Sequence, residues 1–519
     1  MGVIARQSIK GAMANYLGVA IGFVTTFFVV TRFLTTEEVG LTRVMVDAAV
    51  LFSSLAQLGS NSSLIRFFPH FRDDRGHAGE DAASPGGHHG IFGLSLLVPL
   101  VGFALVALAF LVFHDPLLEL YSERSPLLTD YFYMLPMLTF FALYTTVFET
   151  GASVLMRITV PKMVREVGIR LFNLAAYLLY GYRVIPLDVF VWMFCGSYGL
   201  AMLLNMFYLY RISGLPLAAW LHIDWRFVAE GGRWRDMLRY TLFMTATVLA
   251  GNIPLMSSLF LGAKAGLAVT GVYTIAYFIA NVVEVPYRSL GAISRPVVSA
   301  AVKEGDWAEV NRLGRQVSLH QLIVSLLIFY VIWINLDALF AVIPNGGDYR
   351  GGAGVVLILG LAKVINSSLS IGTDVLNYSR WYRWSLPLIG LLTLSAIVLN
   401  GVLIEVWNIN GAAAATLASY GIYFVLLLAL LWRRLRVSLF SAGQLKTVAV
   451  VVAGFVLNRL WTACVAPQLM GLWPGLGGLL ADAVLKTLLL GGGVAAAMLA
   501  WKVSPTVNEM VGRLIHRRG

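Results

Sequence analysis

The chain is dominated by apolar stretches, each long enough to cross a lipid bilayer as a helix. The hydrocarbon core of a bilayer is about 30 Å thick, and roughly 20 apolar residues in a helix cross it. Hydrophobic residues make up 58% of the chain and charged residues only 13%. The pattern predicts an all-α polytopic membrane protein with 14 transmembrane helices. The predicted spans are 9–33, 41–63, 91–113, 131–154, 164–183, 188–210, 240–262, 267–290, 316–336, 353–374, 384–404, 411–432, 446–466 and 475–501.

The basic residues fall mainly in alternate gaps between these spans. With the N-terminus placed inside, the inner segments hold 29 Lys and Arg residues, the outer segments and outer span ends hold 6, and three lie within spans. Because positive residues are retained on the cytoplasmic side, both termini are predicted to be cytoplasmic. The net charge of +11 is then explained mainly by the orientation of the chain in the membrane. Some of the basic residues can also bind anionic lipid head groups. Nucleic-acid binding has little support, since the charge is spread over eight short segments.

The longest inner connection divides the predicted spans into two similar halves. Gly40 corresponds to Gly271 at an offset of 231 residues, and Pro69 corresponds to Pro296 at an offset of 227. Six spans per half is an even number, so the halves have the same orientation and form a parallel repeat. We therefore predict two six-helix lobes plus two C-terminal helices. The predicted divisions are an N-lobe at 1–211, a cytoplasmic linker at 212–239, a C-lobe at 240–435, and the last two spans with a tail at 436–519.

Several kinds of catalytic or metal site have no matching pattern in the chain. An ATP-driven machine needs the phosphate-binding motif G-x-x-x-x-G-K-[ST], and no Lys here follows a Gly. No Asp-x-Asp pair of the nucleotide-sugar transferase type occurs, and no zinc-type spacing of His and Cys. Cys195 and Cys464 both lie within predicted spans, which makes a disulfide framework implausible. The composition favours a secondary transporter or lipid flippase without catalytic residues, metal or cofactor.

Polar side chains within and at the ends of the spans are the candidates for a substrate-binding site, because each is costly in lipid and is expected to face a cavity or a partner. Lys363 is the deepest, near the middle of the tenth span; a purely structural ion pair is its alternative role. Arg32 and Arg43 sit at outer span ends, where the positive-inside rule disfavours Arg. For Arg288 and Asp374, snorkelling to the interface is the simpler alternative. The full candidate set is Arg32, Arg43, Asp47, Asn61, Asn252, Lys264, Glu284, Arg288, Lys363 and Asp374.

A second group of charges, in the last two spans, is predicted to be structural. Arg459 and Asp482 each lie seven residues from the outer end of their span, which places them at similar depth. Asp482 and Lys486 are spaced i, i+4 with the acid first, the better orientation on a helix face. We expect a buried cluster of Arg459, Asp482 and Lys486 that holds the two helices together. A gate for a lipid tail is the functional alternative.

Four stretches resemble one family of membrane transporters. The segment from FLTTEEVGL through LGSNSSLIRFFP resembles the start of the polysaccharide and lipid-linked oligosaccharide flippases, which belong to the multidrug/oligosaccharidyl-lipid/polysaccharide (MOP) exporter superfamily. Similar stretches follow as LGAKAGLAVTGVYTIAYFIANVVEVPYRSLGAISRPVVSAA, GTDVLNYSRWYRWSL and VLNGVLIEVWNINGAAAATLAS. Relatives often carry an acidic residue shortly after the Asn of the seventh span, whereas here Asn252-Ile253 is followed by Pro254-Leu255. A coupling role at that position is therefore not carried over.

The resemblance implies two six-helix lobes around a central cavity and transport by alternating access. The implied substrate is a polyprenyl-pyrophosphate-linked oligosaccharide, moved from the cytoplasmic to the periplasmic leaflet of the bacterial inner membrane. Such a flippase serves the biosynthesis of surface polysaccharide, such as the O-antigen of lipopolysaccharide, capsule or exopolysaccharide. Its partners would be membrane lipids and possible polysaccharide polymerase and chain-length machinery.

Two other functions are weighed against this one. The first is a cation-coupled multidrug exporter of the same superfamily, with Na⁺ or H⁺ as the coupling ion. Acidic cavity residues would favour a cationic drug, whereas Arg and Lys favour an anionic lipid, since Arg binds pyrophosphate well. The second is a membrane-embedded glycosyltransferase or polymerase. The longest outer loop, His114–Asp130, has 17 residues and argues against that class.

Overall fold

Helices account for all the regular structure that the described residues contain. The computed structural model describes residues 13, 17–71, 88–216, 220, 222–229, 232–250 and 253–509. The chain forms two compact units, Met1–Gly271 and Val272–Gly519, called here unit 1 and unit 2. The lobe and linker boundaries derived from the sequence stay a prediction.

The first unit contains thirteen named helices and the start of a fourteenth. Single turns of 3₁₀ helix at His88–Gly90 and of π helix at Val164–Gly168 adjoin them. The helices are α1 (Leu17–Phe33), α2 (Thr36–Ala56), α3 (Ser60–Phe71), α4 (Ile91–Val112), α5 (His114–Ser122), α6 (Pro126–Asp130), α7 (Met134–Val154), α8 (Thr159–Met163), α9 (Ile169–Gly181), α10 (Leu187–Ser213), α11 (Trp225–Ala229), α12 (Arg233–Ala250), α13 (Ile253–Lys264) and α14 (Leu267–Asn281).

The second unit contains the rest of α14 and ten further helices. Short 3₁₀ turns lie at Val282–Glu284, Arg350–Gly352 and Tyr382–Trp384, and π turns at Leu431–Leu435 and Thr487–Gly491. The helices are α15 (Val285–Glu304), α16 (Trp307–Ile334), α17 (Leu336–Val342), α18 (Gly346–Tyr349), α19 (Ala353–Tyr378), α20 (Ser385–Leu430), α21 (Ala442–Cys464), α22 (Ala466–Leu472), α23 (Leu476–Lys486) and α24 (Gly492–Ala500).

Helices lie over every predicted span, so the all-α polytopic fold class is confirmed. Among the described residues, nine helices are long and apolar enough to cross a bilayer, and α1 is a shorter apolar helix. The eleventh and twelfth predicted spans fall on the single 46-residue helix α20, which is interrupted at Asn408 (φ 50°, ψ −127°). A Cβ at Gly411 would lie 1.9 Å from the carbonyl oxygen of Leu403, so glycine is required beside this break. The number of crossings stays a prediction.

Capping side chains fix where two of the long helices begin. At the start of α2, the Thr35 hydroxyl accepts from the Glu38 N–H at 3.2 Å, and the Glu38 carboxylate accepts from the Thr35 N–H at 2.8 Å. This capping box satisfies donors that the first helical turn leaves free. At α16, the Asp306 carboxylate accepts from the N–H of Glu309 at 2.9 Å. Gly305 (φ 74°) precedes it in the left-handed conformation that ends α15.

Two glycines bring α2 and the start of α14 into backbone contact within unit 1. A Cβ at Gly40 would lie 2.0 Å from the carbonyl oxygen of Leu267, and a Cβ at Gly271 would lie 1.9 Å from that of Thr36. The same shift of 231 residues relates Gly40 to Gly271 and Thr36 to Leu267. The contact is therefore self-complementary. Small residues allow such close approach of membrane helices.

Each unit has its own apolar core. In unit 1, one cluster of buried side chains includes Leu41 of α2, Leu138 of α7 and Cys195 of α10. In unit 2, a cluster joins α16 to α21 and includes Phe329 and Tyr330. The Tyr330 hydroxyl is satisfied there, because it donates to the Gly454 carbonyl at 2.9 Å.

Candidate functional site

A buried ion pair joins the end of α14 to the middle of α19 in unit 2. The Lys363 ammonium lies 3.1 Å from Oε2 of Glu284, and the Asn366 amide donates to Oε1 at 2.8 Å. Lys363 is 3% exposed and Glu284 is 8% exposed. The Lys363 Nζ also lies 5.3 Å from the centroid of the Tyr277 ring, within cation–π range. Both carboxylate oxygens are thus occupied by donors from one face of α19.

Local sequence explains why Glu284 is presented at this point. Glu284 ends the 3₁₀ turn Val282–Glu284, which joins α14 to α15. Pro286 stands in the first turn of α15, and its missing N–H removes one hydrogen bond to the preceding turn. The tighter 3₁₀ turn replaces the α-helical pattern there. Lys363 and Asn366 are spaced i, i+3, so they share a face of α19.

A second ion pair joins the same two segments toward their predicted inner ends. Arg295 Nε lies 3.2 Å from Oδ2 of Asp374, and the Arg295 guanidinium donates to the Tyr287 hydroxyl at 2.8 Å. The side chain of Arg295 is 43% exposed, whereas that of Asp374 is 19% exposed. This pair is therefore more open to solvent than the Glu284–Lys363 pair. Asp374 is held by a partner and does not simply snorkel.

The two ion pairs are arranged with opposite polarity. Glu284 precedes Arg295 by 11 residues, and Lys363 precedes Asp374 by 11 residues. In a helix this separation is about three turns, or roughly 16 Å. The segment 284–295 therefore carries an acid and then a base, and the segment 363–374 carries a base and then an acid. Each of these two neutral pairs can present a cation to an anionic ligand and a carboxylate to a cationic one.

Unit 1 has its own buried carboxylate. Asp47 of α2 is 1% exposed, and its Oδ2 lies 2.5 Å from Arg43 Nε. The Ser258 hydroxyl of α13 donates to the same oxygen at 2.6 Å. Arg43 and Asp47 are one helical turn apart, so the pair forms within α2, and Ser258 ties it to α13. The predicted candidates Arg43 and Asp47 are therefore brought together.

The other predicted candidates are dispersed. Arg32 is exposed and lies 5.5 Å from the centroid of the Phe33 ring. Lys264 at the end of α13 and Asn61 in α3 are both half-buried. Asn252 lies outside the described residues, and the side chain of Arg288 is also outside what the structure describes. Of the predicted set, the structure therefore brings Arg43 to Asp47 and Glu284 to Lys363.

The predicted structural cluster in the last two spans is only partly found. Lys486 Nζ lies 2.8 Å from Oδ2 of Asp482, and both residues are buried. The partner on α21 is Trp461, whose indole N–H donates to Oδ1 of Asp482 at 2.7 Å. Arg459 is exposed and forms no ion pair among the described residues. The place expected for Arg459 is taken by Trp461, because two residues on a helix are about 200° apart and face different ways.

Three further polar residues of the sites were absent from the sequence-derived set: Asn366, Arg295 and Ser258. For Arg295, a signal was present in the sequence. Glu284 and Arg295 are 11 residues apart, Lys363 and Asp374 are also 11 residues apart, and the charges are reversed. Asn366 shares a helix face with Lys363. Ser258 carries no pattern that distinguishes it from other serines of the spans.

Comparison with known proteins agrees with this architecture. A family model described as polysaccharide biosynthesis protein matches residues 4–301. The structure is similar to that of lipid II flippase MurJ in an inward closed conformation, with a TM-score of 0.62 at 10% identity over 93% of this chain and 98% of that one. It is also similar to an inward-facing multidrug resistance MATE family transporter of the MOP superfamily, with a TM-score of 0.55 at 16% identity over 84% and 98%. At these identities the likenesses show the fold alone. No curated protein matches the sequence.

Proposed function

The chain belongs to the polysaccharide biosynthesis protein family and has the multi-pass membrane fold of MOP-superfamily transporters, and we propose that it is a flippase for a lipid-linked oligosaccharide. It moves a polyprenyl-pyrophosphate-linked oligosaccharide from the cytoplasmic to the periplasmic leaflet by alternating access, without catalysing a reaction. The product supplies a surface polysaccharide such as O-antigen, capsule or exopolysaccharide. The protein acts in the bacterial inner membrane with both termini cytoplasmic, beside a polymerase and chain-length machinery.

The observation that carries this proposal is the Glu284–Lys363–Asn366 cluster. An isolated charge at the centre of a membrane helix costs on the order of 2.5–3.5 kcal/mol on insertion scales, so buried charges in spans point to function. Lys363 is held by a single carboxylate, and Asn366 adds amide donors beside it. These are the groups that a pyrophosphate needs.

The cluster acts by exchange of partners. When the pyrophosphate of the substrate reaches Lys363, it competes with the Glu284 carboxylate for the ammonium. The Asn366 amide then donates to a phosphate oxygen instead of Glu284. Release of the substrate on the other side restores the Glu284–Lys363 pair, so neither of these two charges is left unpaired in the empty transporter. The polar glycan stays in the wet cavity and the polyprenyl tail in the bilayer.

The second candidate is a cation-coupled multidrug exporter. Its support is that each of the cations Arg43, Arg295 and Lys363 is paired with a carboxylate. A cationic drug, or Na⁺ or H⁺ as coupling ion, would bind those carboxylates in place of the basic partner. The two candidates therefore predict opposite roles for the two members of each pair.

Flipping can be measured in proteoliposomes that contain a fluorescent polyprenyl-pyrophosphate disaccharide, from the fraction that external dithionite bleaches. We expect Lys363→Gln to slow flipping at least about tenfold, because the loss of one charged hydrogen bond of 1.5–3 kcal/mol gives about that factor. The charge-swapped variant Glu284→Lys/Lys363→Glu keeps a pair but moves the cation from α19 to position 284, where the Asn366 amide no longer donates to a carboxylate, so it should fold and fail to flip. Arg312→Gln, in an exposed pair with Glu309, is the control.

Two results would contradict the proposal. Flipping by the charge-swapped variant at the wild-type rate would make the pair purely structural. Transport of ethidium by proteoliposomes that do not flip the disaccharide, with loss of that transport in Glu284→Gln, would establish the multidrug exporter instead.

A further inference from the structure

An apolar cavity of about 310 Å³ lies within unit 1, among the predicted inner ends of spans two, three and seven. It is bounded by the end of α2, by α3 and α4, and by α11 and α12 of the inner connection. Eleven of the fifteen lining residues are apolar, including Leu58, Leu94, Trp225 and Trp234; the other four carry hydroxyl groups. The volume and lining suit part of a hydrocarbon chain.

The cavity is bordered on one side by a partly exposed stripe of α12. Trp234, Leu238 and Leu242 line it and are spaced i, i+4, i+8, so they form one stripe. Their exposed fractions are 46%, 49% and 60%, respectively. Trp225 also lines the cavity and is 59% exposed. Exposed tryptophans near the end of a predicted span are typical of the membrane interface, so we expect an occupant to enter from lipid.

The same elements carry positive charge beside the apolar stripe. Arg235 and Arg239 each follow a stripe residue by one position, so their guanidinium groups lie on the adjoining face of α12, and both are exposed. Neither Arg235 nor Arg239 pairs with a carboxylate among the described residues. Asp236 lies on the opposite face of α12 from the stripe.

One polar group in the cavity wall has no partner. The Ser60 side chain is 5% exposed and lines the cavity, yet its hydroxyl makes no hydrogen bond among the described residues. The neighbouring hydroxyls are satisfied: Ser63 bonds to Thr241 at 2.6 Å, and Ser95 donates to the Phe92 carbonyl at 2.7 Å. A buried hydroxyl without a partner is costly, so the wall is suited to an occupant with an acceptor oxygen.

The α11 wall of the cavity is held in place by a polar and aromatic group. Asp224 accepts from the N–H of Phe227 at 3.0 Å and lies 3.2 Å from His89 Nδ1. These hydrogen bonds lower the pKa of the Asp224 carboxyl from its ordinary value. The His89 ring stacks on the Phe227 ring with their centroids 3.8 Å apart. The Arg233 guanidinium carbon lies 3.9 Å from the centroid of the same Phe227 ring. The cavity is therefore bounded by an ordered wall.

We propose that this cavity binds one acyl chain of an anionic phospholipid from the cytoplasmic leaflet. The phosphate of the head group is held by Arg235 and Arg239, which are spaced i, i+4 on one face of α12, and an ester oxygen accepts from the Ser60 hydroxyl. Charge complementarity favours this occupant, because anionic lipids are concentrated in the cytoplasmic leaflet and basic pockets between membrane helices bind them. The site is independent of the proposed transport of oligosaccharide.

The proposal is tested with the full-length protein by native mass spectrometry, titrating phosphatidylglycerol against phosphatidylcholine. We expect one tightly bound phosphatidylglycerol and at least about tenfold weaker binding of phosphatidylcholine, since each nearby cation favours the anionic lipid. The double variant Arg235→Gln/Arg239→Gln should lose this preference. Its control replaces two exposed cations elsewhere, Lys303→Gln/Arg433→Gln, and should keep it.

Occupancy of the cavity itself needs a second measurement. Phosphatidylglycerol with brominated acyl chains should quench the fluorescence of Trp225 and Trp234. The quenched component should disappear in Trp225→Phe/Trp234→Phe and persist in Trp407→Phe/Trp432→Phe, which removes two other exposed tryptophans. Ser60→Ala should weaken phosphatidylglycerol binding without unfolding the protein.

Three outcomes would overturn the proposal. Equal affinity for the two phospholipids would remove the role of the arginines. Quenching that is unchanged in Trp225→Phe/Trp234→Phe would place the lipid elsewhere. Displacement of phosphatidylglycerol by an equimolar amount of a polyprenyl phosphate would assign the cavity to an isoprenoid chain.

Discussion

At the scale of single residues, the direction of a side chain decides whether a charge in a span is structural. Asp482 and Lys486 are paired and buried, and Trp461 donates the third contact. Arg459 lies only two positions from Trp461, yet it is exposed. The i, i+4 spacing was therefore a good guide to the Asp482–Lys486 pair. Equal depth did not bring Arg459 to Asp482, because the rotation of α21 about its axis presents Trp461 there instead.

This geometry makes a prediction about stability. Asp482→Asn should lower the melting temperature of the purified protein, because it leaves the buried Lys486 ammonium without a counter-charge; the loss of one partner of a buried pair costs about 3–5 kcal/mol in soluble proteins. Adding Lys486→Gln should recover part of the loss, since it removes the unpaired charge. Arg459→Gln should change the melting temperature little.

Thermal unfolding in one detergent checks these variants side by side. Recovery of Asp482→Asn by Arg459→Gln instead of Lys486→Gln would mean that Arg459 belongs to the cluster after all.

At the scale of helices, the glycine contact between α2 and α14 sets how closely two segments approach. The atoms that a Cβ would meet at Gly40 and Gly271 are backbone oxygens, which cannot move aside as the end of a flexible side chain can. Any larger residue must separate the helices. A sequence offset of 231 residues linked these two glycines, but only the structure shows that they lie in one contact.

We expect Gly40→Ala and Gly271→Ala each to reduce the yield of folded protein in the membrane and its melting temperature. Gly196→Ala in α10 is the matched control, because nothing lies within 4 Å of a Cβ there. Alanine favours a helix over glycine by about 1 kcal/mol, so the control should be neutral or slightly stabilising. Fluorescence size-exclusion chromatography after graded heating measures both effects. A stable Gly271→Ala protein would show that α2 and α14 are not held at this distance.

At the scale of the whole molecule, the distribution of Lys and Arg predicts the orientation in the membrane. A reporter near Ser125 would be a poor probe, because Ser125 is fully buried and its hydroxyl donates to the Gly262 carbonyl. Exposed single cysteines are better, in a background that carries Cys464→Ala because the native Cys464 is exposed. Glu123→Cys in the predicted outer loop and Lys303→Cys in a predicted inner loop are both exposed positions.

In intact spheroplasts, a membrane-impermeant maleimide should label Glu123→Cys at once and Lys303→Cys only after permeabilisation. The physical reason is the retention of positive segments on the cytoplasmic side. The reverse labelling would invert the predicted topology. If both variants or neither were labelled before permeabilisation, the number of membrane crossings between residues 123 and 303 would be even, not odd as predicted.

The sequence by itself determined the class of fold, because the requirement for apolar helical spans in a bilayer acts on each segment separately. It also supplied the family resemblance and most charged members of the ion pairs within the spans: Arg43, Asp47, Glu284, Lys363, Asp374, Asp482 and Lys486. Only the tertiary structure decided the partners. Glu284 meets Lys363 across 79 residues, and Trp461 meets Asp482 across 21. Such contacts depend on the rotation and register of helices distant in sequence, and hydropathy carries no information about either.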